Sequence, residues 1–181
     1  MKRSRKNEFM KRVLVLFFFC AGVLKGGAQV AGAVGHLKEQ AQKMGASFVG
    51  GDYATFVGYT YPTIVRLVGG SAKMVDLLDK SMANMKVQGT TFTKISFDEP
   101  SRIVVSGKEV QATIAQHTEI KLTPGRLLNT STLIAISADN GLHWTFIDTS
   151  NKDLAALRKA LPNLSAALVV PPQAPPVHYD N

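Results

Sequence analysis

The stretch Ser131–Asp148, STLIAISADNGLHWTFID, decides the fold of this chain. Two apolar runs, residues 132–137 and residues 142–148, flank the polar segment Ala138-Asp139-Asn140-Gly141. Aspartate and asparagine favour tight turns, and glycine adopts positive φ without strain, so these four residues are typical of a hairpin connection. The stretch therefore predicts two antiparallel strands joined by a short turn, with Trp144 packed across the hairpin.

Ser137 to Trp144 also fits the pattern S-x-D-x-G-x-x-W, which resembles the Asp-box of sialidases and related sugar-handling propellers. A propeller needs at least about four blades of roughly forty residues each. This chain contains the pattern once and shows no internal repeat. We therefore interpret the pattern as a hairpin and exclude a propeller glycosidase.

The residues before position 89 have helical periodicity. A first helix is indicated by apolar residues at steps of three or four, namely Val34, Leu37, Ala41, Met44 and Phe48. The segment GDYATFVGYTYPTIVRLVGG, residues 51–70, predicts two short helices, with Asp52 capping the first and Pro62 opening the second. A longer helix is predicted from residue 71, with Ser71 as its cap and one apolar face formed by Met74, Leu77, Leu78, Met82 and Met85.

After Gly89 the periodicity changes to two, which indicates strands over residues 90–100, 101–122 and 125–137 before the closing strand of the hairpin. A turn is predicted at Ser106-Gly107-Lys108. Within residues 109–122 the even positions are apolar except Gln116 and Thr118, and the odd positions other than Ala115 are polar. Since side chains alternate along a strand, we expect the even face to be buried and the odd face, with Gln111, Thr113, His117 and Glu119, to be solvated.

Residues 1–28 have the pattern of a secretory signal peptide. A basic start is followed by the apolar run Val13–Leu24 and then by small residues, with Gly26 and Ala28 at the spacing that signal peptidase accepts. The apolar run is shorter than the roughly twenty residues that a transmembrane helix needs. We therefore predict cleavage after Ala28 and no transmembrane segment in the mature chain, with an uncleaved N-terminal anchor as the alternative.

Cys20 is the one cysteine of the chain, and three phenylalanines precede it, so we do not expect a lipoprotein. Cleavage removes Cys20 and leaves no disulfide or cysteine metal ligand. It also leaves 14 basic and 12 acidic residues, a charge of +2 against +8 for the whole chain, so nucleic-acid binding is not indicated. A cysteine-free exported chain is typical of the bacterial envelope, which predicts a periplasmic or extracellular location.

Residues 29–150 are predicted to form a single α+β domain, and residues 151–181 a C-terminal helix and a proline-rich tail. Ser150 and Asp153 resemble a capping-box pair at the start of that helix. The tail is expected to run extended or as polyproline II. Three alternatives stay open for it: it covers a sheet edge, it covers the mouth of a pocket, or it is loose.

This order of elements resembles the nuclear transport factor 2-like superfamily, a cone in which a curved antiparallel sheet of four to six strands wraps around N-terminal helices. The resemblance is carried by residues 51–70, with their aromatic helix start, and by the pair of strands in residues 131–148. It extends from Val30 to Ser150 and is strongest for small exported bacterial members of unassigned role. The resemblance implies a pocket between sheet and helices, in many members with a homodimer formed through the outer sheet face. Members include isomerases and dehydratases as well as non-catalytic domains, so the fold alone does not choose a function.

The candidate ligand-binding residues come from several elements. Tyr53, Tyr59 and Tyr61 combine an apolar ring with a hydroxyl group, although a packed core is the alternative. Arg66 lies on an otherwise apolar helix, where it would meet an anionic ligand or a nearby aspartate. Trp144 is a candidate in addition to its place on the hairpin.

Further candidates lie on the predicted strands. Gln116 and Thr118 interrupt the buried face, so they must bond to each other, to the backbone or to a ligand. His117 and Glu119 are either a base with its orienting carboxylate or an exposed pair. Asp148 is either a pocket carboxylate or a turn residue.

No metal or cofactor is predicted. His36, His143 and His178 lack the spacing of metal ligands, and the sequence has neither a phosphate-binding loop nor a nucleophile elbow. Our leading hypothesis is a non-enzymatic exported domain that binds a small apolar ligand or an envelope protein. The first alternative is an isomerase- or dehydratase-like enzyme that uses Asp148, Tyr53 or Tyr61, and the second is a domain that supports envelope assembly through its sheet edge.

Overall fold

The computed structural model describes residues 25–150 and 152–180. The chain divides into two units after Gly32, and every site described below belongs to the second unit, whose described residues, 33–150 and 152–180, are compact. The predicted signal peptide, residues 1–28, lies outside the described residues except for its last four positions. Among the helices that the structure describes, none has the length and apolar character required to span a membrane.

Helix α1 (Lys25–Gly50) carries the predicted apolar stripe. Leu37, Ala41 and Met44 are buried, because they project from one side of the helix onto the sheet. The helix ends at Gly50, the first of two consecutive glycines.

Three shorter elements follow, namely α2 (Tyr53–Gly58), α3 (Pro62–Val68) and α4 (Ser71–Val87). Two predicted helix starts are confirmed: the side chain of Asp52 accepts a hydrogen bond from Thr55 N at 3.0 Å, and Pro62 is the first residue of α3. The predicted Ser71 cap is wrong. Gly70 takes the capping position with a φ of 99°, a conformation open to glycine, and Ser71 is therefore already inside α4.

Helix α4 lies on the molecule without being buried. Met74, Leu78, Met82 and Met85 are half-buried, and Leu77, which was expected on the same apolar face, is 45% exposed. The helix packs mainly against α2 and α3 and less against residues 91–97 of the sheet. The apolar face of α4 therefore leaves space above the sheet instead of filling it.

In the described part of the chain the strands form one six-stranded antiparallel sheet. Their bounds are β1 (Thr91–Phe97), β2 (Val104–Ser106), β3 (Glu109–Lys121), β4 (Arg126–Ser137), β5 (Thr145–Asp148) and β6 (Val177–Tyr179). The main order is β1-β3-β4-β5, with β2 paired to β3 and β6 paired to β4. The α+β class and the antiparallel sheet of four to six strands are thereby confirmed.

The predicted hairpin joins β4 to β5. Ser137 Oγ accepts a hydrogen bond from Gly141 N at 2.9 Å, and Asp139 Oδ1 accepts one from His143 N at 2.9 Å. Asn140 and Gly141 have φ angles of 59° and 88°, as the turn prediction requires. The Asp-box-like pattern is thus a turn, although β5 begins only at Thr145 and is shorter than the sequence indicates.

Each face of the sheet has its own apolar cluster. We call the side toward α1 the inner face, which includes Ala112, Ile114, Leu133 and Ala135. The opposite side is the outer face, where residues from β4 and β5 pack against helix α5 (Leu154–Ala160) and the segment after it, namely Ile134, Ile136, Ile147, Leu157, Leu161, Leu164 and Leu168. The run Leu133–Ile136 is therefore buried on both faces.

The expectation that Gln111 and Thr113 are solvated is wrong. They are 0% and 7% exposed, because the C-terminal segment covers this half of the outer face. Gln111 Nε2 donates to Asn163 O at 2.9 Å, and Gln111 Oε1 accepts from Ser165 N at 2.9 Å. Two hydrogen bonds thus take the place of water at a buried amide.

The C-terminal residues also differ in detail from the prediction. Asp153 alone caps α5, since its side chain accepts from Ala155 N at 2.9 Å, so the predicted Ser150–Asp153 pair is wrong. Ser150 bonds to Asp148 instead. The tail ends in β6, which pairs with residues Arg126–Leu128 of β4, so it covers a sheet edge, one of the three alternatives.

Candidate functional site

An apolar cavity of about 330 Å³ lies between the inner face of the sheet and the helices. The helices contribute Met44, Phe48, Phe56, Ile64 and Met74 to its wall. The strands contribute Phe92, Ile95, Gln116, Thr118, Leu133 and Phe146, and Ile147 of the outer-face cluster borders the same space. Helix α4 reaches this wall through Met74, so its half-buried position is what leaves the cavity open.

Aromatic rings close one end of the cavity. The ring of Phe48 lies 5.0 Å from that of Phe56 and 5.1 Å from that of Phe92, centroid to centroid. Tyr53 meets the other side of Phe48 at 5.8 Å in an edge-on arrangement. Tilted and edge-on contacts at these distances are favourable, so the ring contacts stabilise this end of the cavity.

Gln116 and Thr118 supply the neutral polar groups of the sheet wall. Gln116 Nε2 donates to Thr118 Oγ1 at 3.3 Å, so the first of the predicted alternatives, a bond to each other, is present. Both side chains also line the cavity, where they are available to a ligand. Thr118 is 6% exposed, so its hydroxyl group lies in an environment largely free of water.

Asp148 and Lys152 bring charge to the rim of the cavity. Both residues line it and both are exposed. Asp148 Oδ1 accepts hydrogen bonds from Ser150 N at 2.9 Å and from Ser150 Oγ at 2.7 Å. Asp148 is therefore at once a turn residue and a cavity carboxylate, the two roles that the sequence left open.

The three candidate tyrosines lie outside the apolar cavity. Tyr53 lines a neighbouring space on the far side of Phe48, where burial, and secondarily the charge of Asp79, raises the pKa of its hydroxyl. Tyr59 packs against the inner-face cluster. Tyr61 lies toward the outer face, and its hydroxyl accepts a hydrogen bond from Asn163 Nδ2 at 3.0 Å.

Arg66 and Trp144 also lie outside the cavity. Arg66 is exposed and donates to Thr63 Oγ1 at 2.8 Å, one turn away on α3. Trp144 is 1% exposed within the inner-face cluster, and its indole nitrogen donates to Gly141 O at 3.1 Å. The structure thus assigns Trp144 to the packing of the hairpin.

His117 and Glu119 lie on the outer face, away from the cavity. His117 Nε2 is 3.0 Å from Asp98 Oδ1, and Glu119 Oε2 is 3.8 Å from Arg126 Nη1. Each residue therefore has its own partner across the strands. Among residues 25–150 and 152–180, no cluster of three histidine, cysteine or acidic side chains could hold a metal ion.

Sequence reasoning therefore identified Gln116, Thr118 and Asp148 but missed Lys152. Lys152 lies in the loop after β5, where no periodicity indicates the direction of a side chain. Phe48 and Met74 belonged to predicted apolar helix faces, so the sequence indicated that both would be buried. It did not indicate that a cavity would lie beside them.

No protein-family model, curated protein or solved structure matches this chain.

Proposed function

We propose that the mature chain is an exported binding domain of the nuclear transport factor 2-like type, which holds a small apolar ligand in the cavity and does not transform it. The observation that carries this proposal is the cavity itself. Protein interiors are close-packed and rarely contain voids larger than a water molecule. A space of about 330 Å³ with mostly apolar walls and a few convergent polar groups has the character of a small-molecule site.

The arrangement of elements supports the same proposal. Helices α1 to α4 precede an antiparallel sheet, and the cavity lies between these two layers, as the resemblance to this superfamily implies. The second compact unit begins at Ala33, so removal of residues 1–28 would leave the buried stripe of α1 whole. Mass measurement of the exported protein tests the leader, with a chain starting at Gln29 as the expected result.

A matched pair of variants on α4 tests ligand binding. Met74 lines the cavity, whereas Leu77, on the same helix, is 45% exposed. We expect Met74→Trp to fill the cavity and to weaken binding of N-phenyl-1-naphthylamine, a neutral fluorescent apolar probe, by at least about tenfold. Leu77→Trp should bind this probe as the wild type does. Equal weakening in both variants, or a wild type that does not bind the probe, would contradict the proposal.

The enzyme alternative is favoured by one observation, the carboxylate of Asp148 at the cavity rim. Its other two expected residues, Tyr53 and Tyr61, lie outside the cavity. The discriminating experiment extracts small molecules from the purified protein, incubates any that are found with fresh protein and follows their NMR spectra. A ligand whose spectrum stays constant supports the binding domain, whereas conversion by the wild type and not by Asp148→Asn establishes an enzyme.

A further inference from the structure

We infer that the ligand of the apolar cavity carries a neutral carbonyl oxygen, which accepts hydrogen bonds from Gln116 and Thr118. This inference rests on the proposed function and specifies its ligand. The two residues are two positions apart on β3, so their side chains project from the same face. They interrupt an otherwise apolar row that includes Ile114 and Ile120.

In the described structure Gln116 and Thr118 have more N–H and O–H donors than acceptors to receive them. A glutamine amide nitrogen carries two hydrogens, and Gln116 uses one for Thr118 Oγ1. That contact, at 3.3 Å, is longer than the usual range of about 2.7–3.2 Å for a hydrogen bond from nitrogen. Thr118 accepts it and keeps its own hydroxyl hydrogen for a second acceptor. A carbonyl oxygen with two lone pairs suits two converging donors.

Ser131 supplies an independent observation at the same place. It lies directly opposite Gln116 in the β3–β4 register and is 4% exposed. Within the described part of the chain its Oγ is enclosed and has no hydrogen-bond partner. Burying an unpaired hydroxyl is costly, so a serine here is unfavourable for the free protein.

The position of Ser131 explains how this cost is offset on binding. The β-carbons of directly opposed residues are about 4.5–5.5 Å apart, so a serine hydroxyl is within reach of the Gln116 amide. When the amide turns its nitrogen toward a ligand, Ser131 donates to its oxygen. Ser131 is therefore a positioning residue, which acts on the ligand through Gln116.

The charges around the cavity indicate that the bound group is neutral. Asp148 and Lys152 are both exposed at the rim, whereas the polar groups of the sheet wall are an amide and a hydroxyl. An ionised group beside Gln116 and Thr118 would be desolvated without an opposite charge, which is strongly unfavourable. Ketones, esters and amides with an apolar body carry a carbonyl oxygen and are neutral, as the two donors and the uncharged sheet wall require.

Two synthetic compounds test the inference directly. Hexanophenone and hexylbenzene share a phenyl ring and an alkyl chain and differ in the carbonyl group. We expect the wild-type protein to bind hexanophenone roughly five- to tenfold more tightly, as measured by displacement of N-phenyl-1-naphthylamine. In Gln116→Leu the preference should shrink, because Thr118 alone remains as a donor, and hexylbenzene should bind more tightly because leucine adds apolar surface. Gln42→Leu, an exposed position on α1, is the control and should keep the preference.

Ser131→Ala separates positioning from a merely structural role. We expect this variant to keep less than half of the hexanophenone preference while its thermal stability does not fall. Equal affinity of the wild type for both compounds would overturn the inference and leave the proposed function standing. Failure of both compounds and of the fluorescent probe to bind would overturn the two together.

Discussion

The side chain of Gln40 bonds to the backbone on both sides of His143 and thereby attaches the β4–β5 hairpin to α1. Gln40 Oε1 accepts a hydrogen bond from Trp144 N at 2.9 Å, and Gln40 Nε2 donates to Leu142 O at 2.8 Å. One turn earlier on the helix, His36 Nδ1 lies 3.1 Å from Gly141 O. The hairpin that decides the fold is thus held in place by two polar side chains of the first helix.

We expect Gln40→Leu to lower the free energy of unfolding by about 1–2 kcal/mol, because it removes two hydrogen bonds, one of them partly buried. Urea denaturation measures the change. Gln42→Leu is the matched control on the exposed side of α1 and should change stability by less than about 0.5 kcal/mol. Similar values for the two variants would show that the Gln40 contacts do not hold the hairpin.

Gly141→Ala should lower the free energy of unfolding by at least about 3 kcal/mol, because steric overlap adds to backbone strain. Gly141 has a φ of 88°, and a β-carbon there would lie 2.3 Å from Ala33 Cβ. Gly107, with a φ of 61° and no heavy atom within 4 Å of such a β-carbon, is the control. Gly107→Ala should cost only about 1–2 kcal/mol, and thermal denaturation of both variants measures the difference. Equal losses of stability in the two variants would mean that Ala33 moves away from the new β-carbon without a cost in free energy.

Two serine-to-alanine changes on β4 should have opposite signs. Ser131 Oγ is enclosed without a partner in the described structure, so Ser131→Ala should raise the free energy of unfolding by about 1 kcal/mol. Ser137 Oγ donates to Asp139 Oδ1 at 2.8 Å and accepts from Gly141 N at 2.9 Å. Ser137→Ala should therefore lower stability by about 1–3 kcal/mol. Urea denaturation of the ligand-free protein measures both changes. A loss of stability in Ser131→Ala would contradict the assignment of an unpaired hydroxyl.

Stability should fall in acid partly through Asp139. The backbone N–H of His143, followed by its side chain and by Ser137, holds the pKa of this carboxyl well below its ordinary value. A depressed pKa in the folded state stabilises the protein above the ordinary pKa of an aspartate, about 3.9. That stabilisation is lost as the pH falls below this value, because protonation then favours the unfolded chain.

In Asp139→Asn the decline of stability between about pH 4 and pH 2 should therefore be shallower than in the wild type. His143→Ala keeps the backbone N–H that is the largest cause of the shift, so most of the decline should remain. Urea denaturation at a series of pH values measures both effects. A decline of equal slope in Asp139→Asn and the wild type would rule out this contribution.

Local features of the structure were predictable because they depend on neighbouring residues. The stripe of Leu37, Ala41 and Met44, the cap at Asp52 and the turn at Asn140-Gly141 follow from helical spacing, hydrogen bonding to adjacent amides and the conformational freedom of glycine. The predicted cap at Ser71 was wrong because the helix begins one residue earlier than expected, so that Gly70 is the capping residue.

The candidate site was predictable only in part. Strand alternation indicated that Gln116 and Thr118 share the buried side of β3, and both line the cavity. Strand alternation does not indicate which other segments cover a face of the sheet. Gln111 was therefore expected in solvent, whereas it is buried under the C-terminal segment. No local sequence pattern indicated that Gln40 holds the hairpin, because its partners Leu142 and Trp144 are about a hundred positions away.

By itself, the sequence determined the identity and order of the helices and of the strands up to β5, because periodicity, caps and turn residues act over a few positions, whereas strand β6 in the tail was not predicted. Tertiary structure decided which faces of the sheet are buried and where a cavity remains. It did so because residues 157–168 cover the outer face near Gln111, while α4 stays half-buried above the inner face. Both outcomes depend on the packing of elements that lie far apart in the chain, and residue spacing does not encode that packing.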